Sequence, residues 1–225
     1  MAVAVGEVAE PFARWMAGRR RAISELLDGV HLESSDLVLD VAGGDASLTR
    51  FVAMETGGSV VSHDLSWSEC QAARAAATPS VRGDVRHLPF HNECARLTVA
   101  FEIIEHLQPW EVPGFVDELW RVTAPGGLVA LSTPNRYSLQ SLRGIARYFR
   151  DGTVWNGEDQ THVQLQSARA LRHTLRRRFN VTRTVGYYLA PELHGRVSRF
   201  THVISESPLV VPLCHKLLAL AQKAE

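Results

Sequence analysis

The chain has 225 residues, of which 45% are hydrophobic and 21% are charged, a composition typical of one ordinary globular domain. Its 24 basic and 24 acidic residues give a formal net charge of zero. No overall field therefore attracts the chain to nucleic acid or to an anionic membrane.

The N-terminal stretch and the cysteines bear on the location of the protein. Residues 1–12, "MAVAVGEVAEPF", carry acids and lack the basic start and long apolar core of a signal peptide. No apolar run approaches the roughly 20 residues that a membrane span needs. The three cysteines are scattered and form no CxxC pair, which indicates free thiols in a reducing compartment. We therefore expect a cytoplasmic protein without a membrane span.

A leading helix is predicted over about 8–29, and short β-rich runs then alternate with helical patterns. The β-rich runs are "LVLDV" (37–41), "SVVSHD" (59–64), a short one ahead of Asp84, "ARLTVAF" (95–101), "GGLVALSTP" (126–134) and "VTRTVGYY" (181–188). The helical stretches lie near 46–56, 66–77, 111–123 and 167–178. The last run, "KLLALAQK" (216–223), fits either an antiparallel strand or a helix.

This alternation implies right-handed crossovers and a mainly parallel sheet. We predict an α/β, Rossmann-like fold with seven strands, mostly parallel, and helices on both faces. Residues 1–225 are treated as one domain whose core spans 36–134. The helix at 8–29 and the segments 135–162 and 189–212 lie outside the alternation. Such segments usually form a lid or a substrate pocket beyond the carboxyl ends of the strands, although they can also simply cover the sheet.

The stretch "LDVAGGDASLTRF" (39–51) places Asp40 near a strand end, followed by Ala42, Gly43 and Gly44 and then a helix. Small residues let the main chain approach a ligand closely, and a helix start offers free N–H groups. The turn lacks the GxGxxG of a dinucleotide site and the GK[ST] of a P-loop. Phosphate is therefore not the ligand that the turn indicates.

Two further acids follow strand ends. Asp64 lies 24 residues after Asp40, where an acid can accept hydrogen bonds from both ribose hydroxyls. Asp84 follows the third strand, where it would meet an exocyclic amine. A single acid at a strand end commonly just caps the next helix. Three such acids together suit a ribose, an adenine amino group and a cationic amino-acid head, which describes S-adenosylmethionine better than NAD.

From about 36 to 188 the chain resembles the class I S-adenosylmethionine-dependent methyltransferases of the type 11/23-like group, including those of the ubiquinone and menaquinone pathways. "VLDVAGGDASLTRF" looks like their first motif, in the "LD-AGG" form of quinone C-methyltransferases, and "VVSHDLS" resembles the second. "GDVRHLPF", "AFEIIEHL" and "ELWRVTAPGGLVALSTPN" are similar to the later motifs. The resemblance implies that the cofactor site is formed by Asp40, Ala42, Gly43, Gly44, Asp64, Leu65, Asp84, Val85 and Phe101.

The run "FEIIEHL" supplies Glu102, Glu105 and His106 at positions i, i+3 and i+4, which share one face if a helix begins there. With His162 as a fourth ligand, these residues would bind Mg²⁺, Mn²⁺ or a borderline metal. The spacing resembles the metal site of small-RNA 2′-O-methyltransferases and of ubiquinone-pathway O-methyltransferases. The same "EHL" occurs in methyltransferases that bind no metal. Without a metal, His106 or His162 is the candidate general base, and Glu102 lies near the transferred methyl group.

We therefore predict a methyltransferase of small-molecule biosynthesis that methylates a hydroxyl of a phenol, a sugar or a quinone-like natural product. The alternatives are methylation of carbon, nitrogen or an RNA 3′ end, or a non-methylating binding protein or cyclase on the same fold. Departures from the family pattern at Ala42, Ala46 and Arg96 lend weight to the non-methylating alternative, whereas the intact acids Asp64 and Asp84 argue against it. The basic clusters at 19–21 and 176–178 lie on predicted helices and are interpreted as solvated faces, so nucleic acid is not an expected partner.

Overall fold

The structure is a computed structural model that describes residues 5–139, 161–189 and 204–225, together with residues 141, 146, 149, 150 and 152. The side chains of residues 5–12 and 14 are outside this description. Much of the predicted lid segments 135–162 and 189–212 also lies outside the described residues. The division of the chain into a core and lid segments therefore stays a prediction.

The elements follow the predicted alternation. In chain order they are α1 (Val5–Leu27), β1 (Leu37–Val41), α2 (Ser47–Thr56), β2 (Ser59–Asp64), α3 (Trp67–Ala75), β3 (Ser80–Arg82), β4 (Ala95–Phe101), a 3-10 turn (Ile104–His106), α4 (Val112–Val122), β5 (Thr123–Pro134), α5 (Ala168–Leu175), β6 (Asn180–Tyr187), β7 (Ile204–Ser205), a second 3-10 turn (Val211–Leu213) and β8 (Lys216–Gln222). The run at 216–223 is thus a strand, which settles the alternative that its sequence left open.

The strands form one sheet in the order β3-β2-β1-β4-β5-β8-β6-β7. Neighbours among β1 to β5 pair in parallel, whereas β8 lies antiparallel between β5 and β6. The predicted Rossmann-like fold is confirmed, but the predicted number of seven strands is wrong, because the described part of the sheet has eight. The additional strand, β7, has only two residues and pairs antiparallel with Gly186 and Tyr187. A strand of this length is too short to show a period-2 pattern in the sequence.

Side chains of the central strands alternate between two hydrophobic clusters, one on each face of the sheet. Leu39 and Val41 of β1 pack in the cluster that contains Phe115 of α4. Val38, the residue before Leu39, points to the opposite face and packs with Ile23 of α1 in the other cluster. Helices therefore cover both faces, as predicted, and the carboxyl ends of the parallel strands meet at one edge.

Helix α1 packs against α2, β6 and β8. Its close contact with the sheet requires a glycine, because a Cβ at Gly18 would overlap the ring of Tyr188. The Tyr188 hydroxyl donates a hydrogen bond to the carbonyl of Trp15 one turn earlier in the helix. This contact fixes where the next turn of α1, which carries Arg19, meets the sheet.

Two findings bear on the expected location. Among the helices that the structure describes, none is long and apolar enough to cross a membrane. Cys70, Cys94 and Cys214 are all free thiols, as the sequence predicted. The cytoplasmic location itself stays a prediction.

Candidate active site

The turn between β1 and α2 has an unusual backbone. Ala42 and Ala46 have φ angles of 61° and 60°, in the left-handed region that costs a residue with a Cβ about 1–2 kcal/mol. Gly43 has no room for a side chain, because a Cβ would lie 2.8 Å from the carboxyl group of Asp40. The turn therefore keeps a backbone path suited to glycine although two of its residues are alanines.

Asp64 is held against this turn. The Gly44 N–H donates a hydrogen bond to Asp64 Oδ2 at 3.0 Å, and the Ser66 N–H donates to Oδ1 at 2.8 Å. Leu65 follows with 62% of its surface exposed, an apolar side chain left outside both clusters. The structure thus brings the predicted ribose acid beside the glycine turn, with an apolar side chain next to it.

Asp84 forms an ion pair that the sequence analysis did not predict. Its two carboxylate oxygens accept hydrogen bonds from the Arg86 guanidinium, with Nε 2.9 Å from Oδ1. These bonds lower the pKa of Asp84 to about 2. Val85 is buried in the hydrophobic cluster that contains Phe115 of α4. The role of Asp84 and Val85 beside an adenine stays a prediction.

A cavity of about 200 Å³ lies between the glycine turn and the end of β4. Its lining includes Asp40, Ala42, Gly43, Gly44, Phe101 and Glu102, which were predicted, and Arg19 of α1, which was not. Because Arg19 is only 9% exposed, the interpretation of its cluster as a solvated face is wrong at this position. Its Nε is a buried donor with no hydrogen-bond partner among the described atoms. The signal was present in helical spacing, since Arg19 follows Trp15 by four residues and precedes the buried Ile23 by four.

Asp40 is the most deeply buried acid of this cavity, with 2% of its surface exposed. Burial raises its pKa to about 6, against the opposing effects of a hydrogen bond from the Thr49 hydroxyl and the charge of Arg19. A cationic ligand in the cavity would favour the ionised form. The cavity therefore suits a ligand that brings positive charge.

Glu102 does not share a helical face with Glu105 and His106. Its φ of 57° separates it from the short 3-10 turn that begins at Ile104. Lys216 Nζ of β8 donates to Glu102 Oε2 at 2.5 Å, and the Ser132 hydroxyl donates to Oε1 at 2.7 Å. Burial opposes ionisation of Glu102, but the charges of Lys216 and Arg19 outweigh it and hold the pKa below its ordinary value. Glu102 therefore forms an ion pair with Lys216 and does not belong to the group of possible metal ligands, contrary to the prediction.

Glu105, His106 and His162 do come together. One ligand atom from each lies within 4.8 Å of the others, and the two imidazole rings are 5.1 Å apart. The Val163 N–H donates to the Glu105 carbonyl at 2.9 Å, which fastens the chain beside His162 to the 3-10 turn. The structure therefore brings together three of the four residues that were predicted as metal ligands.

The chemistry of this set fits a divalent cation. Glu105 is fully buried, its Oε1 has no hydrogen-bond partner among the described atoms, and Thr133 donates to its Oε2 at 3.0 Å. Burial, followed by the charge of Glu102, raises the pKa of Glu105 to about 8. A cation would favour the ionised carboxylate, and two imidazoles favour a transition metal over Mg²⁺.

A second cavity, of about 750 Å³, opens beside His162. Arg136 and Tyr137, which follow β5, line one side, and the segment from His162 to Ser167 lines the other. The position beyond the strand ends is the one expected for an acceptor pocket.

Residues 39–131, which contain the glycine turn and the three strand-end acids, match the family model described as a methyltransferase domain. Over these residues the chain is similar to methyltransferase domains. It is 32% identical over 102 residues to a probable S-adenosylmethionine-dependent methyltransferase of Mycolicibacterium smegmatis, across 45% of this chain and 34% of that protein. It is 28% identical over 144 residues to the malonyl-[acyl-carrier protein] O-methyltransferase of Pectobacterium atrosepticum, across 63% of this chain and 56% of that protein. The chain thus spans about a third and about half the length of these two relatives.

Solved methyltransferases share the fold over nearly the whole chain. An S-adenosylmethionine-dependent methyltransferase of Thermotoga maritima superposes with a TM-score of 0.66 at 15% identity, covering 96% of this chain and 97% of that one. Another from Archaeoglobus fulgidus has a TM-score of 0.63 at 15% identity, covering 93% and 94%. At this identity the likeness concerns the fold. The family match supports S-adenosylmethionine as the cofactor.

Proposed function

We propose that this protein is an enzyme that transfers the methyl group of S-adenosylmethionine to a hydroxyl of a small molecule, such as a phenol, a sugar or a quinone-like natural product. One observation carries the proposal: groups able to take up a proton or bind a metal lie between two cavities. Glu102 lines the smaller cavity and its charge acts on Glu105, while His162 lines the larger cavity. A hydroxyl must lose its proton to become a good nucleophile, so this arrangement suits an oxygen acceptor.

The smaller cavity suits the amino-acid end of the cofactor. Its lining combines the guanidinium of Arg19 with the carboxyl groups of Asp40 and Glu102, a pattern complementary to a carboxylate beside an ammonium and a sulfonium. The ribose would then reach Asp64 across the glycine turn. Arg19 is thus proposed to bind the cofactor carboxylate.

The chemical step is a displacement at the methyl carbon. The acceptor oxygen attacks that carbon, the carbon–sulfur bond breaks, and the electron pair stays on sulfur, which leaves as the neutral thioether of S-adenosylhomocysteine. Alignment of the oxygen, methyl carbon and sulfur is the main requirement. The residues of the two cavities supply it by fixing the cofactor on one side and the acceptor on the other.

Removal of the hydroxyl proton falls to the cluster between the cavities. We propose that Glu105, His106 and His162 hold a divalent metal, with Glu102 excluded by its pairing with Lys216. Such a metal would lower the pKa of a hydroxyl bound to it, so that the proton could pass to water. The name of one sequence relative, an O-methyltransferase, also favours oxygen over carbon or nitrogen as the acceptor.

The test is a methyl-transfer assay with radiolabelled S-adenosylmethionine and a panel of phenols, sugars and hydroxyquinones. His162→Ala is expected to reduce kcat by about 100-fold or more, with unchanged cofactor affinity, because it removes a group that acts on the hydroxyl proton. His91→Ala, a change at an exposed histidine outside both cavities, is the matched control.

The remaining outcomes separate the alternatives. Full activity in EDTA, with no metal copurifying, would remove the metal and leave His106 or His162 as the general base. A product methylated on carbon, nitrogen or an RNA end would overturn the hydroxyl assignment. Tight cofactor binding with no methyl transfer to any compound of the panel or to a cell lysate would favour the binding-protein alternative.

A further inference from the structure

The larger cavity carries positive charge without an acid to balance it among its described lining residues. Arg136 lines this cavity, and its guanidinium carbon lies 5.9 Å from the centre of the Tyr137 ring. The acids that the structure describes form their ion pairs with other basic groups, and none pairs with Arg136. Within the described part of the chain this guanidinium stacks on an aromatic ring and meets no carboxylate, which makes it available to an anionic ligand.

A neighbouring cavity of about 170 Å³ also has basic lining residues. It shares Gln164 and Gln166 with the larger cavity and adds His173 and Arg177 of the α5 region, again with no acid among the lining residues that the structure describes. The two shared glutamines are fixed, because Gln166 Nε2 donates to Gln164 Oε1 at 3.0 Å. The hydrogen-bonded pair Gln164 and Gln166 thus lines both cavities, and each cavity is also lined by an arginine.

The smaller cavity, which we propose to bind the cofactor, has mainly acids among its charged lining residues. Asp40, Asp45 and Glu102 line it against the one guanidinium of Arg19. One side of the site therefore favours a cation and the other an anion, and charges arranged in this way discriminate between partners.

We propose that the acceptor is an anion, whose carboxylate or phosphate group binds Arg136 while a flat apolar part lies against Tyr137. The hydroxyl to be methylated then points toward His162 at the end of the cavity nearest the metal cluster. This inference rests on the proposed function, because it takes the larger cavity as the acceptor site. It narrows the predicted phenols, sugars and quinone-like compounds to those that carry a negatively charged group.

Three matched phenols test the inference by binding, independently of turnover. 4-Hydroxybenzoate, 4-hydroxyphenyl phosphate and 4-hydroxybenzamide are titrated into the full chain with S-adenosylhomocysteine present, and affinities are measured by NMR. We expect the preferred anion to bind about 10-fold more tightly than the amide, since a hydrogen bond to a charged partner contributes that much or more. The comparison of carboxylate with phosphate identifies the preferred anion.

Variants test whether Arg136 is the residue that causes the preference for anions. Arg136→Gln is expected to reduce the affinity of the anions to that of the amide, and Arg136→Lys to retain part of the preference. Arg169→Gln removes an exposed guanidinium of α5 that lines neither cavity and is the matched control. Equal affinity of the three phenols, binding by none, or an anion preference that survives Arg136→Gln would overturn the inference.

Methyl transfer to the same phenols separates this inference from the proposed function. If the anions bind in an Arg136-dependent way but no hydroxyl of the acceptor panel is methylated, the proposed function is wrong and the proposed anion site is supported. Transfer to the amide as fast as to the anions would support the function and count against the anion site.

Discussion

Replacing Asp40 with asparagine is expected to stabilise the cofactor-free protein at pH 8 and to have little effect near pH 4. Burial raises the pKa of Asp40 from 3.8 to about 6. Between these values the folded protein keeps a proton that the unfolded chain has lost, so the folded state becomes less favourable as the pH rises through this window. Asparagine retains an oxygen that can accept the hydrogen bond from Thr49 and does not ionise.

The size of the effect follows from the same pKa values. A change from 3.8 to about 6 corresponds to about 3 kcal/mol of unfolding free energy above pH 6. The full amount applies because the carboxyl group is almost completely buried. It is a large fraction of the stability of an ordinary domain.

Urea unfolding at pH 4, 6 and 8, followed by circular dichroism, measures the effect. We expect the unfolding free energies of the wild type and Asp40→Asn to diverge between pH 4 and pH 7. Asp28→Asn, at an exposed position after α1, controls for the loss of one carboxylate. S-adenosylmethionine should then stabilise the wild type more than the variant at pH 8, since its positive charge favours the ionised acid. Parallel pH profiles for wild type and Asp40→Asn would show that burial of this carboxyl group does not lower the unfolding free energy at high pH.

Three further changes test other parts of the site. Asp64→Ala should weaken S-adenosylmethionine binding about 100-fold in calorimetry, the expected loss for two hydrogen bonds to a charged acceptor, and an unchanged affinity would remove the ribose role. Ala42→Gly should stabilise the protein by up to about 1 kcal/mol in urea unfolding, because it relieves a left-handed alanine. The same substitution at Ala72, exposed within α3, should instead cost about 1 kcal/mol, and destabilisation by both would contradict the explanation. Lys216→Met should cost about 3 kcal/mol or more, because it leaves the carboxylate of Glu102 unpaired. Adding Glu102→Gln should restore most of that loss, and a double variant as unstable as the single one would show that the ion pair is not the cause.

The elements that sequence reasoning located correctly share a local cause. Buried parallel strands appear as short apolar runs, and β1, β2 and β4 have the predicted bounds of 37–41, 59–64 and 95–101. The glycine turn was visible because close backbone approach restricts residue type, as the space around Gly43 shows. Features that depend on a few neighbouring residues could therefore be predicted.

What the sequence analysis missed depends on contacts between distant parts of the chain. Glu102 and Lys216 are 114 residues apart, and no local pattern indicates that they pair. The helical face predicted for Glu102 failed because spacing alone does not reveal a positive φ. The ion pair of Asp84 is different, since Arg86 is only two residues away, and a test of short-range charge pairs would have found it.

The position of Arg19 has a consequence for how the cleft could be studied. The glycine turn and the strand-end acids lie within 39–131, whereas Arg19, which lines the same cavity as the turn, belongs to α1. A polypeptide beginning after Leu27 would keep every family motif and still lose the one arginine among the described residues that line this cavity. We expect such a polypeptide to bind S-adenosylmethionine more weakly although its sequence motifs are intact, because it lacks the proposed partner of the cofactor carboxylate.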